Sequence, residues 1–467
     1  MKRRDMLKGL TALGAAGASG TTLGAGDARA GTPIQGSFAP DAATLRSLRE
    51  APLINQAQAA RVMEQYDLAG MLAMNPINIY YLSNTLPIGV RMRKEYPAFA
   101  TLPRKRDEPT FLVTTTTQSW DMANGDRWVP EVIRYTGPKN WQDYTGDNAL
   151  PLSEEPLVGT RSPNISDESK LTARERGWRD SGQRNTPSPT PEWALARAMR
   201  ESGITRGRVA VDDMRIARLL QRIGMADNIE FVDGDNLFRR IRYIKSDAEI
   251  AYMRIAGRNN CAAAMAAIAD LKVGMTLPEI EQRFLAEAAA RGNELAFFLA
   301  GTSVGSFRNG SIVEGEPFLV DAVSHFQQYH GDFGRTVVVG EPGPEVHKRA
   351  MAQSAARDAT AAIIRPGVKY SEIVRIGREA FRKVGGPVET FFVSPHSVGL
   401  QHTDQPYRDD SPFGTPEDLT LEVGMVITVD LPYLDMGFGA GHHEDLLLIT
   451  ADGFEVLHES PGNLLIV

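Results

Sequence analysis

The stretch from Leu319 to Gly340 reads LVDAVSHFQQYHGDFGRTVVVG, with Asp321 and Asp332 at the inner ends of two strand-like runs. A second pair of acids, Asp430 and Glu444, follows in ITVDLPYLDMGFGAGHHEDLLLIT. Gly315 precedes Asp321 by the same spacing that separates Gly424 from Asp430. A weak internal repeat surrounds them: LKVGMTLPEIEQRFLAEAAARG (271–292) resembles IRPGVKYSEIVRIGREAFRKVG (364–385). Each copy shows a turn around Gly274 or Gly367 and then an acid-capped helix starting near Glu279 or Glu372. Two related halves packed about a pseudo-two-fold axis would bring all four acids together. Buried carboxylates without a counter-charge repel one another and protonate. Divalent cations resolve that conflict, because carboxylate oxygens suit hard ions. A pair of such ions bridged by acids is a known catalytic device.

Imidazoles stand close to the same motifs. His325 and His330 lie between the first two acids, His442 and His443 precede Glu444, and SPHSVGLQHTDQP carries His396 and His402. His330 sits two before Asp332, and His442 two before Glu444. Residues two apart on a strand share a face, so either histidine could orient a ligand or touch substrate. His325 and His443 read as solvated or structural, and Arg335 as the partner of an internal acid.

Taken in order, these motifs resemble the pita-bread metallopeptidases, the family of aminopeptidase P, prolidase, methionine aminopeptidase and creatinase. The residues that carry the resemblance are Asp321, Asp332 before Arg335-Thr336, His396 before Gly399, Asp430 after GMVIT, and Glu444-Asp445. It covers about 240 to 467. The resemblance implies that Asp321, Asp332, His396, Asp430 and Glu444 hold two divalent ions, with Asp332 and Glu444 shared. Manganese is the first expectation, and zinc, cobalt or iron also suit such ligands. It further implies that Asp430 moves a proton and that His402 stabilises an oxyanion. The implied function is hydrolysis of a C–N bond in a small peptide or peptide-like amide, as in an Xaa-Pro peptidase.

Three positions depart from the family pattern. Asp430 stands where a glutamate is usual. Phe307-Arg308-Asn309 falls where proline-specific members place a histidine, and His442 stands where they commonly carry arginine. Arg308 could instead grip a substrate carboxylate with two hydrogen bonds, which favours a short acidic substrate. The same departures keep open a non-peptidase on this scaffold, such as a creatinase-like amidinohydrolase or a small-metabolite lyase. A non-enzymatic binding module is the remaining alternative, but such modules typically lose the ligands that are kept here.

The elements that must position these residues follow from pattern. The fold class is α/β (α+β): a creatinase-like N-terminal domain over 31–240, with a polar insertion near 138–190, and a pita-bread domain over 241–467. AGMLAMNPINIYYLSN, EPTFLVTTTTQ, GRVAVDDM and IEFVDGD read as strands, and TPEWALARAMRESG as a helix from Pro191 to Gly203. Ser246 and Glu249 have capping-box spacing. The only cysteine, Cys261, excludes an intrachain disulfide and reads as a packed helix residue.

Composition bounds the rest. Hydrophobic residues make up 42%, charged residues 23%, and net charge is −7; the acidic balance and lack of a basic cluster argue against nucleic-acid binding. No apolar run is long enough for a membrane span. Residues 1–30 follow the plan of a signal peptide, with Arg3-Arg4 resembling a twin-arginine signal and Ala28-Arg29-Ala30 a cleavage site. The expectation is a periplasmic enzyme acting on a small molecule or short peptide, and by family analogy a homodimer.

Overall fold

A computed structural model describes residues 28–29, 40–92, 97–116, 119, 128–129, 131–135, 153–154, 165–184, 186–303, 305–411 and 414–467. It is a mixed α/β fold. The N-terminal half holds a six-stranded sheet ordered Glu131–Tyr135, Phe111–Thr115, Phe99–Pro103, Leu68–Ala73, Gly207–Val211 and Ile229–Asp233. Leu72, Phe99, Val113, Ile133 and Val209 pack against Leu195, Met199 and Leu220. The helix Pro191–Glu201 starts on a Thr190 cap with proline in its first turn.

One strand expectation needs correction. The run beginning at Ala69 is strand only as far as Ala73, within Leu68–Ala73, and Pro76–Ser83 is a helix capped by Asn75. Residues Asn78 to Ser83 are all buried, so the helix shows no polar face. A short apolar run of that kind does not reveal its period. Of the polar insertion, the described residues include the helix Ala173–Arg184; much of the remainder lies outside them. The same is true of the N-terminal 27 residues, while Ala28–Arg29 pairs in parallel with Leu465 and Ile466.

In the C-terminal half the internal repeat is visible in matching backbone bonds. Gly274 N–H donates to Ile312 O at 2.9 Å, and Gly367 N–H to Leu421 O at 2.8 Å. The return bonds match too, Ile312 N–H to Met275 O and Leu421 N–H to Val368 O. Gly274 and Gly367 have φ of +88° and +92°, which glycine adopts without a side-chain clash. The helices that follow are Leu277–Ala290 and Tyr370–Lys383. Glu279 closes a capping box on Thr276, so the first helix begins just ahead of the acid.

Each half then delivers its strands. Phe318–Phe326 and Tyr329–Val338 form an antiparallel hairpin, and Ser394–Ser397 pairs with Val426–Asp430. The strand His443–Asp445 joins the open side of Tyr329–Val338. Helix Asp247–Ala269, begun by the Ser246–Glu249 capping box, lies close on the hairpin. A Cβ at Gly331 would come within 2.5 Å of Ala256 O. Cys261 is buried in this helix. At the hairpin tip Gln327 and Gln328 both have positive φ, and Tyr80 from the N-terminal half donates to Gln327 O at 3.0 Å.

Candidate metal centre

The strands place the acids by register. Gly334 pairs with Asp321 on one side and with Glu444 on the other. Asp332, on the same strand, is completely buried. On the second sheet Ser394 pairs with Asp430 and His396 with Thr428. Arg335, also fully buried, ties the third strand in place: it pairs with Asp445 Oδ1 at 2.5 Å and donates to Glu444 O at 2.7 Å.

Among the described residues, three groups offer ligand atoms that lie within 4.8 Å of one another: Asp332, His396 and His402; Asp321, His442 and Glu444; and His396, Asp430 and Glu444. His396 Nε2 lies 3.4 Å from Asp430 Oδ1 and 3.7 Å from Glu444 Oε1. The Thr428 hydroxyl is 3.0 Å from His396 Nε2 and donates to Asp430 Oδ1 at 3.1 Å. His402 Nε2 reaches within 3.2 Å of Asp332 Oδ2, and its ring meets Phe297 edge-on. All five residues expected to ligate metal, together with His402 and His442, are therefore neighbours.

Electrostatics show what the cluster lacks. Burial raises the carboxyls of Asp321 and Asp332 well above the ordinary range, and the nearby Glu444 carboxylate adds to it. Asp430 is raised by burial and by Glu444. Burial would raise Glu444 too, but the neighbouring His396 and His442 imidazoles and the Asp430 carboxyl outweigh it and hold Glu444 well below its usual value. Burial disfavours charge on His396, yet the Asp430 carboxylate prevails and raises it. Even so, Asp321 Oδ1, both Asp332 oxygens and Glu444 Oε1 are buried without a hydrogen-bond partner. Buried oxygens are rarely left so. Their donor set suits divalent ions, which would replace protons on these ligands.

The other expected residues fall as follows. His330 is near the site, its Nδ1 lying 3.1 Å from Gly399 O. His443 is buried beside Asp445 and so is structural rather than solvated. Arg308 is paired with Glu316. It lines a surface depression of about 480 Å³ with Asn309, Glu314 and Glu345, and none of the clustered acids or imidazoles lines it. Its guanidinium, expected to meet a substrate carboxylate, is here engaged by Glu316.

Sequence reasoning missed two supports. Gly334 makes room for the His442 ring, since a Cβ there would lie 2.1 Å from His442 Cδ2. The loop carrying His402 is pinned by a buried ion pair: Arg242 Nη2 meets Asp404 Oδ1 at 2.7 Å, and Arg242 also bonds Gln401 and Asn78. The glycine could have been noticed in DFGRT, but a pair 162 residues apart leaves no local pattern.

This geometry defines a candidate metal-dependent hydrolase centre on a two-domain fold. Residues 251–451 match the sequence model of metallopeptidase family M24. With the geometry above, that match marks the chain as a metallohydrolase. Over 254 residues it is 28% identical to an uncharacterized peptidase of Staphylococcus aureus, a match covering 53% of this chain and 71% of the relative. It is 27% identical over 243 residues to the probable dipeptidase PepE of Mycobacterium tuberculosis, covering 50% of this chain and 63% of that one. The fold resembles a dipeptidase from Pyrococcus horikoshii OT3, with TM-score 0.64, 18% identity, and 88% and 99% of the two chains covered. An Xaa-Pro dipeptidase from Bacillus anthracis gives TM-score 0.63 at 17% identity over 88% and 99%.

Proposed function

We propose that the protein is a dinuclear metal-dependent hydrolase that cleaves the C–N bond of a small peptide or peptide-like amide, in the manner of an Xaa-Pro dipeptidase. The observation that carries this is the set of partnerless buried oxygens on Asp321, Asp332 and Glu444, closed by His396. Asp321 and Asp332 would hold one ion and Asp332, His396, Asp430 and Glu444 the other, with Asp332 and Glu444 shared between them. Such ions polarise a scissile carbonyl and lower the pKa of a water toward neutrality. Manganese is the first candidate, with zinc, cobalt and iron also compatible.

The chain's own groups supply the rest. The Asp430 side chain is 22% exposed against 2% for Glu444, so of these two Asp430 is the more open to the substrate side. It takes a proton from water and passes it to the leaving nitrogen. His402, about one-third exposed at 32%, stands at the rim and donates to the carbonyl oxygen as charge develops there. Among the described residues no helix is long and apolar enough to cross a membrane. Export by the twin-arginine route and a homodimeric assembly belong to the same proposal. Replacing Arg3 and Arg4 with lysine should leave the precursor in the cytoplasm, and normal export of that variant would contradict the export part.

The test of substrate class is a panel of Xaa-Pro dipeptides, longer Xaa-Pro peptides, creatine and small acidic amides, assayed with manganese or zinc. Dipeptide cleavage with weak or no cleavage of the long peptides is expected. Turnover of creatine alone would move the assignment to an amidinohydrolase.

A further inference from the structure

Resting on the metal reading above, we infer that His442 is itself a metal ligand, giving the ion held by Asp321 and Glu444 an imidazole in what would otherwise be a carboxylate-only environment. Gly334 is flanked in register by Asp321 and Glu444. The His442 ring edge lies over that glycine, with Cδ2 and Nε2 at 2.1 and 2.6 Å from where a Cβ would stand. The ring therefore sits between the two acids. Its Nε2 is 3.1 Å from Glu444 Oε2, and His442, Asp321 and Glu444 present atoms all within 4.8 Å.

Two donor atoms at about 2.0–2.2 Å from one ion are themselves separated by about 3 Å, so the observed spacing accommodates a shared ion. The histidine is held there. It is 4% exposed, and its backbone N–H donates to Thr336 Oγ1 at 3.0 Å. Its Nδ1 has no hydrogen-bond partner, so the ring's placement is not explained by bonds on both nitrogens. Adding nitrogen to an oxygen site shifts preference from manganese toward zinc, cobalt or iron.

The competing role is a hydrogen bond from His442 to Glu444. Loss of such a supporting bond can also weaken a metal by about 10–100-fold, so affinity alone does not separate the two. Selectivity and ligand count do. Metal-depleted full-length protein would be titrated with zinc and with manganese, and the two-zinc form examined by X-ray absorption. His442→Gln keeps an N–H for Glu444 but removes the imidazole. Ligation predicts that zinc affinity at one site falls at least about tenfold more than manganese affinity. It also predicts about half an imidazole lost per zinc, and a wild-type average near one, without recourse to the variant. An unchanged zinc-to-manganese ratio with an unchanged imidazole count would overturn the inference. So would a wild-type average near one half. A wild-type protein that binds neither ion would overturn the metal reading and this inference with it.

Discussion

Asp321 and Glu444 face each other across a single glycine: Gly334 is the register partner of both, Asp321 in the hairpin and Glu444 on the opposite edge of the same strand. The two acids come from different halves of the internal repeat, so their meeting depends on the packing of those halves. Gly334→Ala tests this junction. A Cβ there would collide with the His442 ring, which is buried. Activity and zinc affinity should each fall at least about tenfold, with the far-ultraviolet circular dichroism unchanged. Wild-type zinc affinity in this variant would show that the ring is free to move.

Asp332→Ala should abolish activity and sharply reduce bound metal. Asp332 is shared by the proposed ions, and its two oxygens are both buried without a hydrogen-bond partner, Oδ2 facing only the His402 imidazole at 3.2 Å. Elemental analysis that finds full metal content in the variant would remove Asp332 from the ligand set.

Asp404→Asn should destabilise the protein by about 3–5 kcal/mol, because it leaves the buried Arg242 without its anion. The loop bearing His402 should loosen as well, lowering kcat more than it changes KM. Urea unfolding and steady-state kinetics on the same preparation measure both. A stability loss under about 1 kcal/mol would place this pair with ordinary surface ion pairs.

Glu249 gives a pH prediction away from the metal centre. Burial raises its pKa to about 8, partly offset by Lys245 and the Ser246 N–H. The folded value lies above the ordinary carboxyl value of 4.5, so the group's favourable contribution is full below 4.5 and is lost as pH rises through about 8. Glutamine retains the capping-box geometry without this titration. The stability difference between Glu249→Gln and wild type should therefore shift in the variant's favour from pH 5 to pH 8. A difference that stays flat over that range would contradict the sign.

Arg308→Ala should change KM for a dipeptide by less than a factor of about three, the scale of a partly exposed ion pair. Its guanidinium is already taken by Glu316. A large rise in KM confined to substrates with a free carboxylate would restore the role that the sequence suggested for it.

These cases also show what the sequence could reveal. The acids Asp321, Asp332, Asp430 and Glu444 were legible because strand-like runs and the repeat constrain their spacing, and His396 because the ordered motifs resemble the pita-bread metallopeptidases; the structure brings all five together. Gly274 and Gly367 were legible as turns because their φ values exclude most other residues. The helix Pro76–Ser83 was read as strand because its buried surroundings erase the helical period. Arg308 looked available because its partner Glu316 is hidden in a bend that local spacing does not show. The Arg242–Asp404 pair joins residues far apart in the chain, a relation that appears only when the chain is folded.

The most direct test of the central claim is a stoichiometric reactivation. Metal-stripped protein is titrated with manganese or zinc while hydrolysis of an Xaa-Pro dipeptide is followed. No activity is expected in the stripped protein, with a rise that saturates as the second ion per chain binds. Full activity without metal, or no dipeptide hydrolysis with both ions bound, would contradict the claim.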